Sequence, residues 1–268
     1  MTEPEFLGLP VSPQEEAAGA FGLSANGLKA IAIVAMLIDH IAHALIAHDT
    51  AQSLVIYGVM RFIGRMTAPI MFYFIVEGYH YTRDKNRYTL RLAVFAAVSY
   101  LPFVWFMTGG LPSGATFLKL NVIYTLLIGF LALRAFREIK NPLASIAVLA
   151  ALVVLSIPGD WTYMAVYYIL AFEFFRGNFK RQAIAYVVIT AATGADQFFY
   201  PLYSLITSRP MSDMNIANAL INLGRFLPIG LLYFYNGKKG AGGKLAQWGF
   251  YVFYPLHLII LCAIKYMR

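Results

Sequence analysis

Apolar residues fall in long blocks separated by short polar clusters along this 268-residue chain. About 20 residues of helix cross the hydrocarbon core of a bilayer. On that ruler the pattern predicts nine helical segments, near 28–48, 54–81, 88–108, 119–136, 142–157, 161–176, 182–206, 216–235 and 246–265. The second is too long for one straight span, and Pro69 divides it into a stretch along the interface (54–66) and a crossing stretch (67–81). The fifth and sixth are short and meet in the tight turn Pro158-Gly159-Asp160. The fold class is therefore all-α, a polytopic transmembrane helix bundle of about 8–9 spans. A polar tail, 1–26, precedes a single transmembrane domain, 27–268. Ser24 or Asn26 is the candidate N-cap of the first helix.

Composition supports the membrane reading. Hydrophobic residues make up 60% of the chain, charged residues 13%, and mean hydropathy is +0.64. A soluble domain is nearer half apolar and a quarter charged. The net charge of +8 does not point to nucleic acid, because the basic residues sit in short clusters between apolar runs. Arg83, Lys85, Arg87 and Arg91 follow the second segment, Arg134, Arg137 and Lys140 the fourth, Arg176, Lys180 and Arg181 the sixth, and Lys238, Lys239 and Lys244 the eighth. The alternate loops hold Lys119 and Arg209, and Lys265 and Arg268 end the chain. The positive-inside rule then puts the N-terminus in the cytoplasm and the C-terminus outside. The first 26 residues are acidic and proline-bearing with no basic leader, which is unlike a secretory signal and reads as a cytoplasmic tail. Cys262 is the single cysteine, so a disulfide within the chain and a cysteine-rich metal site are both excluded. The stretch GKKGAGGK, 237–244, lacks Walker spacing and a preceding strand and is expected to be a flexible basic loop.

The chemistry lies in polar groups inside apolar segments. Asp39, His40, His43, Arg61, Arg65, Glu77, Glu173, Asp196, Arg225 and His257 all fall there. Each ionisable group at mid-helix costs roughly 2.5–3.5 kcal/mol on insertion scales, so such groups pair or line a wet cavity. Asp39 and His43 share a helical face at i and i+4, an arrangement able to orient an imidazole as a general base; His40 is rotated one step away. Arg61 and Arg65 also share a face, either to clamp an anion or to neutralise Asp39 or Glu77. His257 follows Pro255, which frees a carbonyl in the last segment and permits a kink. Asn121, Asp160, Asp196 and Arg225 are single polar residues for which a helix-to-helix bond is the plainer explanation. No further ligand spacing accompanies these groups, so no metal site is expected.

The strings GLKAIAIVAMLIDHIAHAL (27–45) and RFIGRMTAPIMFYFIVEGYHYTRDKNRYTLRLAVFAAVSYLPF (61–103) resemble the TraX family, named for the conjugative-transfer protein that N-acetylates F-type pilin in the bacterial inner membrane. The matching features are Leu28-Lys29, Asp39-His40, Ile63-Gly64-Arg65, Pro69, Glu77-Gly78, Thr82, Tyr88 and Arg91-Leu92, with Asn121 and FYVFYPLHL (250–258) further on. Ala42 departs from a frequent glycine. The resemblance implies a multi-pass inner-membrane acetyltransferase that takes acetyl-CoA as donor. Its acceptor would be a pilin-like peptide amine or a glycan hydroxyl or amine, with the lipid bilayer as its surroundings and no nucleic-acid partner. It implies a core of Asp39, His40, Arg65 and Glu77; with His43 from the residue pattern these form the candidate catalytic set. Arg61, Asn121, Arg225 and His257 are the candidate substrate- or acetyl-CoA-binding residues. The basic clusters at 83–91 and 176–181 would attract the donor's phosphates. Two other classes remain: a proton- or anion-coupled transporter using the same buried Asp, Glu and His, and a scaffold of a secretion complex.

Overall fold

The computed structural model describes residues 22–47, 49–195, 204, 206–207 and 213–267. The helices are α1 (Ala25–Leu45), α2 (Ala51–Gly64), α3 (Thr67–Tyr81), α4 (Lys85–Val98), α5 (Tyr100–Thr108), α6 (Val122–Glu138), α7 (Pro142–Ser156), α8 (Met164–Phe174), α9 (Phe179–Thr193), α10 (Asp213–Leu223), α11 (Leu227–Tyr233) and α12 (Gly243–Met267). Single 3-10 turns lie at Gly114–Leu118 and Gly224–Phe226. The described residues contain no strand, only two isolated bridges.

α3 is the hub. Ala68, Ile70, Phe72, Phe74, Ile75, Val76 and Tyr79 are all buried along it, and it packs on α1, α6, α8 and α11. A helix that is apolar and buried all round belongs in the middle of a bundle. The outward faces are apolar too: Leu143, Ile146 and Val154 on α7, Leu90 and Val94 on α4, and Leu256 and Ile260 on α12 are exposed. An exposed apolar surface of this extent needs lipid, not water, against it. This is a helical membrane protein.

Among the described residues, four helices are long and apolar enough to cross a bilayer: Ala25–Leu45, Ala51–Tyr81, Ile216–Tyr233 and Leu245–Met267. The pair α4 and α5, bent by 40°, adds a fifth. α7 and α8 have 15 and 11 residues; at about 1.5 Å per residue both fall short of the roughly 30 Å core. The expected nine segments all appear as helix over their described residues, but length and composition support four or five full spans.

The second segment breaks at Arg65–Met66, at the expected boundary between 54–66 and 67–81. Pro69 is the third residue of α3, where its missing N–H has no partner to lose. The loop 237–244 is pinned, not flexible. Ala25 and Asn26 donate backbone N–H to Lys238 and Lys239 carbonyls at 2.8 and 3.0 Å, and the Asn26 amide donates to Ala241 O at 2.6 Å. Gly237, Gly240, Gly242 and Gly243 adopt positive φ, and a Cβ on Gly240 would meet the Ser24 hydroxyl at 2.2 Å. Ser24 itself caps α1, accepting from Gly27 N. Asp196, Arg209, Arg268, His48 and the tail 1–21 lie outside the described residues.

Candidate active site

α1 carries Asp39 and His40 about 20 Å along from its start at Ala25, by helical rise. α2 returns beside it and brings Arg61, whose Nη1 donates to Asp39 Oδ2 at 2.6 Å. The approach is close because Gly64 has no side chain: a Cβ there would lie 2.2 Å from Asp39 Oδ1. Asp39 is therefore held by an arginine, and the expected pairing in which it orients an imidazole is replaced by a salt bridge. Its other oxygen, Oδ1, is buried with no hydrogen-bond partner.

The partner of His40 comes from the far end of the chain. His40 Nδ1 lies 2.7 Å from His257 Nε2, and His257 Nδ1 lies 2.8 Å from the Phe253 carbonyl. A carbonyl only accepts, so His257 Nδ1 carries a proton and its Nε2 is a lone pair. His40 must then donate through Nδ1, which leaves His40 Nε2 as a lone pair, with both rings neutral. Phe106 packs its ring edge against His40 at 5.1 Å and Phe253 stacks on His257 at 4.8 Å. The result is a neutral imidazole held in one tautomer with its basic nitrogen outside the pair. His43 lies farther along α1 with its ring also near Phe106, 5.4 Å away.

Three further charges join this layer. Arg65 lies within electrostatic reach of Asp39, Asp160, Arg61 and Arg225. Arg225 stands over the Trp161 ring at 5.5 Å. Asp160 is exposed yet ringed by protein, at the lip of the cluster. Its loop is built to hold it there: Leu120 N donates to Pro158 O at 3.0 Å, Gly159 lies against the Thr125 hydroxyl, and Thr162 takes a φ of 45°. A left-handed β-branched residue costs energy that surrounding contacts must offset, and such positions concentrate at functional sites. The sequence marked Asp160 as part of a turn and as a single polar group suited to a helix-to-helix bond; nothing local signals that it lies within electrostatic reach of Arg65.

The other expected residues lie elsewhere. Glu77 does not join Asp39 and His40; it sits three turns down α3 from Arg65, accepting from Tyr235 at 3.2 Å and Arg176 at 3.5 Å. Asn121 caps α6, accepting from Ile123 and Tyr124 N–H, and donates to Ala96 O at 2.8 Å. Its amide is used at both ends, which makes it a structural pin. A second network, beyond what the sequence pattern suggested, surrounds Glu173. It accepts from His80 at 2.9 Å and from Arg137, and its side chain is fully enclosed.

A cavity of about 450 Å³ opens into the bundle's interior. Its mouth is lined by Asn26, Lys29, Thr82, Arg91 and Lys239, its middle by Phe74, Ile75 and Phe250, and its inner end by Met36, Val122 and Tyr254. Met36 is one helical turn before His40, and the Tyr254 ring lies 5.6 Å from that of His257. The cavity thus ends one turn short of the histidine pair. Among the described residues, no group of His, Cys, Asp and Glu converges to hold a metal ion.

Comparison with known proteins now decides the family: the TraX protein family matches residues 24–265. This chain belongs to the TraX family. A curated relative, described as probable fimbrial assembly protein FimC, serogroup H1, from Dichelobacter nodosus, is 34% identical over 255 residues, covering 90% of this chain and 96% of the relative. No solved structure matches. The stretches that carry the TraX likeness contain both the Asp39–Arg61 pair and the His40–His257 pair.

Proposed function

We propose that this TraX-family protein is a membrane-embedded acetyltransferase. It takes acetyl from acetyl-CoA at the cytoplasmic mouth and passes it to an amine or hydroxyl of an acceptor. The observation that carries this reading is the His40–His257 pair with its basic nitrogen outward, one turn from the end of a cavity open at the opposite face. The cavity suits the donor. Its mouth offers Lys29, Arg91 and Lys239 to phosphates, with Arg91 Nε buried and unpaired, and its apolar middle suits a pantetheine arm. This replaces the clusters at 83–91 and 176–181 as phosphate site, save for Arg91.

His40 Nε2 takes the proton from the acceptor nucleophile as the new C–N or C–O bond forms and the C–S bond of the thioester breaks. His257 accepts from His40 Nδ1 throughout and so stabilises the imidazolium. Asp39, fixed by Arg61, places negative charge one residue away. Arg65 is positioned to oppose charge on the carbonyl oxygen. In this reading the helices too short to count as spans complete a bundle of 8–9 crossings in the bacterial inner membrane, with a cytoplasmic N-terminus. The fimbrial relative supports a pilin-like peptide N-terminus as acceptor; a glycan hydroxyl or amine is the other chemical option. The test is release of CoA thiol and transfer of labelled acetyl by purified protein with a pilin-like peptide, compared with His40→Ala. Loss of transfer in that variant is expected; full retention would rule the mechanism out.

A further inference from the structure

The layer around Asp39 has a charge imbalance that the acyl-transfer chemistry uses only in part: Arg61 fixes Asp39 and Arg65 faces the carbonyl oxygen, while Arg225 has no role in it. Three guanidinium groups converge from two segments. Arg61 and Arg65 come from the end of α2, and Arg225 from the 3-10 turn before α11. Gly224 lets that turn press on α2: a Cβ on it would lie 2.1 Å from the Phe62 carbonyl. Among the described residues two carboxylates, Asp39 and Asp160, face them. With the two histidines of the hydrogen-bonded pair neutral, these described groups carry one positive charge in excess inside a low-dielectric bundle.

The hydrogen bonding shows the same deficit. Arg65 Nε and Arg225 Nε are both buried without a partner, and Arg225 as a whole is 8% exposed. Guanidinium donors are normally satisfied when buried, and a bidentate oxyanion is the group that fits them best. The carbonyl of Arg225 is fixed by the Tyr186 hydroxyl at 2.5 Å, and its guanidinium rests on Trp161. Arg225 is thus held in place with a donor open, and Arg65 keeps its Nε open within electrostatic reach of it. Asp160, at the lip of this layer, remains accessible from the face opposite the Lys29–Lys239 mouth.

We infer that Arg65 and Arg225 form a binding site for an anionic group, a carboxylate or a phosphate, carried by the acceptor molecule. The site selects acceptors with one negative charge close to the amine or hydroxyl that is acylated. The identity of the occupant as acceptor rests on the acetyltransferase reading; the binding itself does not, and is tested with no acyl donor present.

Trp161 reports on the site directly. In a Trp105→Phe, Trp248→Phe background, both replaced residues being outside the core, Trp161 is the remaining tryptophan. The protein is placed in phosphatidylcholine nanodiscs and titrated with inorganic phosphate and, separately, with acetate at constant ionic strength. A saturable change in Trp161 emission is expected. Arg225→Gln and Arg65→Gln should each weaken it about tenfold to a hundredfold, as loss of one charge-assisted hydrogen bond does, with helical circular dichroism retained. If one variant fails to fold, the other carries the comparison. A flat titration, or an unchanged curve in the folded variants, overturns the site. Repeating it in phosphatidylglycerol discs separates the sources. The same curve supports a soluble acceptor, whereas an abolished response assigns the anion to a lipid headgroup and overturns the acceptor assignment.

Discussion

Two polar networks lie buried in this bundle, and they are satisfied to very different degrees. Around Glu173, a fully enclosed carboxylate receives His80 and Arg137, so its charge is met on both oxygens. Around Asp39, one carboxylate oxygen and the Nε of two arginines have no hydrogen-bond partner, and the paired histidines leave a lone pair outward. The first network ties α3, α6 and α8 together and spends all its valences on the fold. The second is held rigidly by glycine contacts and caps but keeps valences open. A buried polar group without a partner costs stability, and the proposed anion site gives the open valences of this layer a use.

Substitutions break this comparison in order of size. His40→Ala should lower acetyl transfer by about 10²–10⁴-fold, the usual worth of a general base, while leaving the thermal midpoint near wild type. Glu173→Ala should do the opposite. It removes the shared acceptor of His80 and of Arg137, whose own side chain is 44% exposed, and should cost about 1–3 kcal/mol of stability, read as loss of folded yield in detergent, with activity per folded molecule kept. His257→Phe removes the acceptor that fixes the His40 tautomer and should lower the rate about 10–100-fold, with little change in KM for acetyl-CoA. Gly64→Ala pushes a methyl into Asp39 and should cost about 1–3 kcal/mol by overpacking. The smallest effect is expected at Arg87→Ala, whose partner Asp84 is exposed; such a pair contributes about 0–1 kcal/mol.

How much of this was legible beforehand differs residue by residue. Helix positions were, because apolar runs and caps such as Ser24 are local signals. The stretch Ile63-Gly64-Arg65 was visible as a likeness, and the structure supplies its reason in the contact of Gly64 with Asp39. Glu77-Gly78 has a similar one, since a Cβ on Gly78 would meet the Tyr88 ring at 2.7 Å. What sequence spacing cannot show is pairing over distance. His40 and His257 are 217 positions apart, so the i, i+4 rule favoured His43, the one histidine it could relate to Asp39. Asp160 looked like a turn residue because its place near Arg65 is set over distance, in a loop anchored by the bridge between Leu120 and Gly159. The break in the second segment was legible from Pro69, because a proline is tolerated in the first turn of a helix and so marks a helix start just before it.

The most direct test of the division between the two networks is labelled acetyl transfer per folded molecule in proteoliposomes, for wild type, His40→Ala and Glu173→Gln side by side. The account predicts near-complete loss in His40→Ala with normal melting, and near-wild-type turnover from whatever fraction of Glu173→Gln folds. Wild-type turnover in His40→Ala, or loss of turnover in well-folded Glu173→Gln, would contradict it.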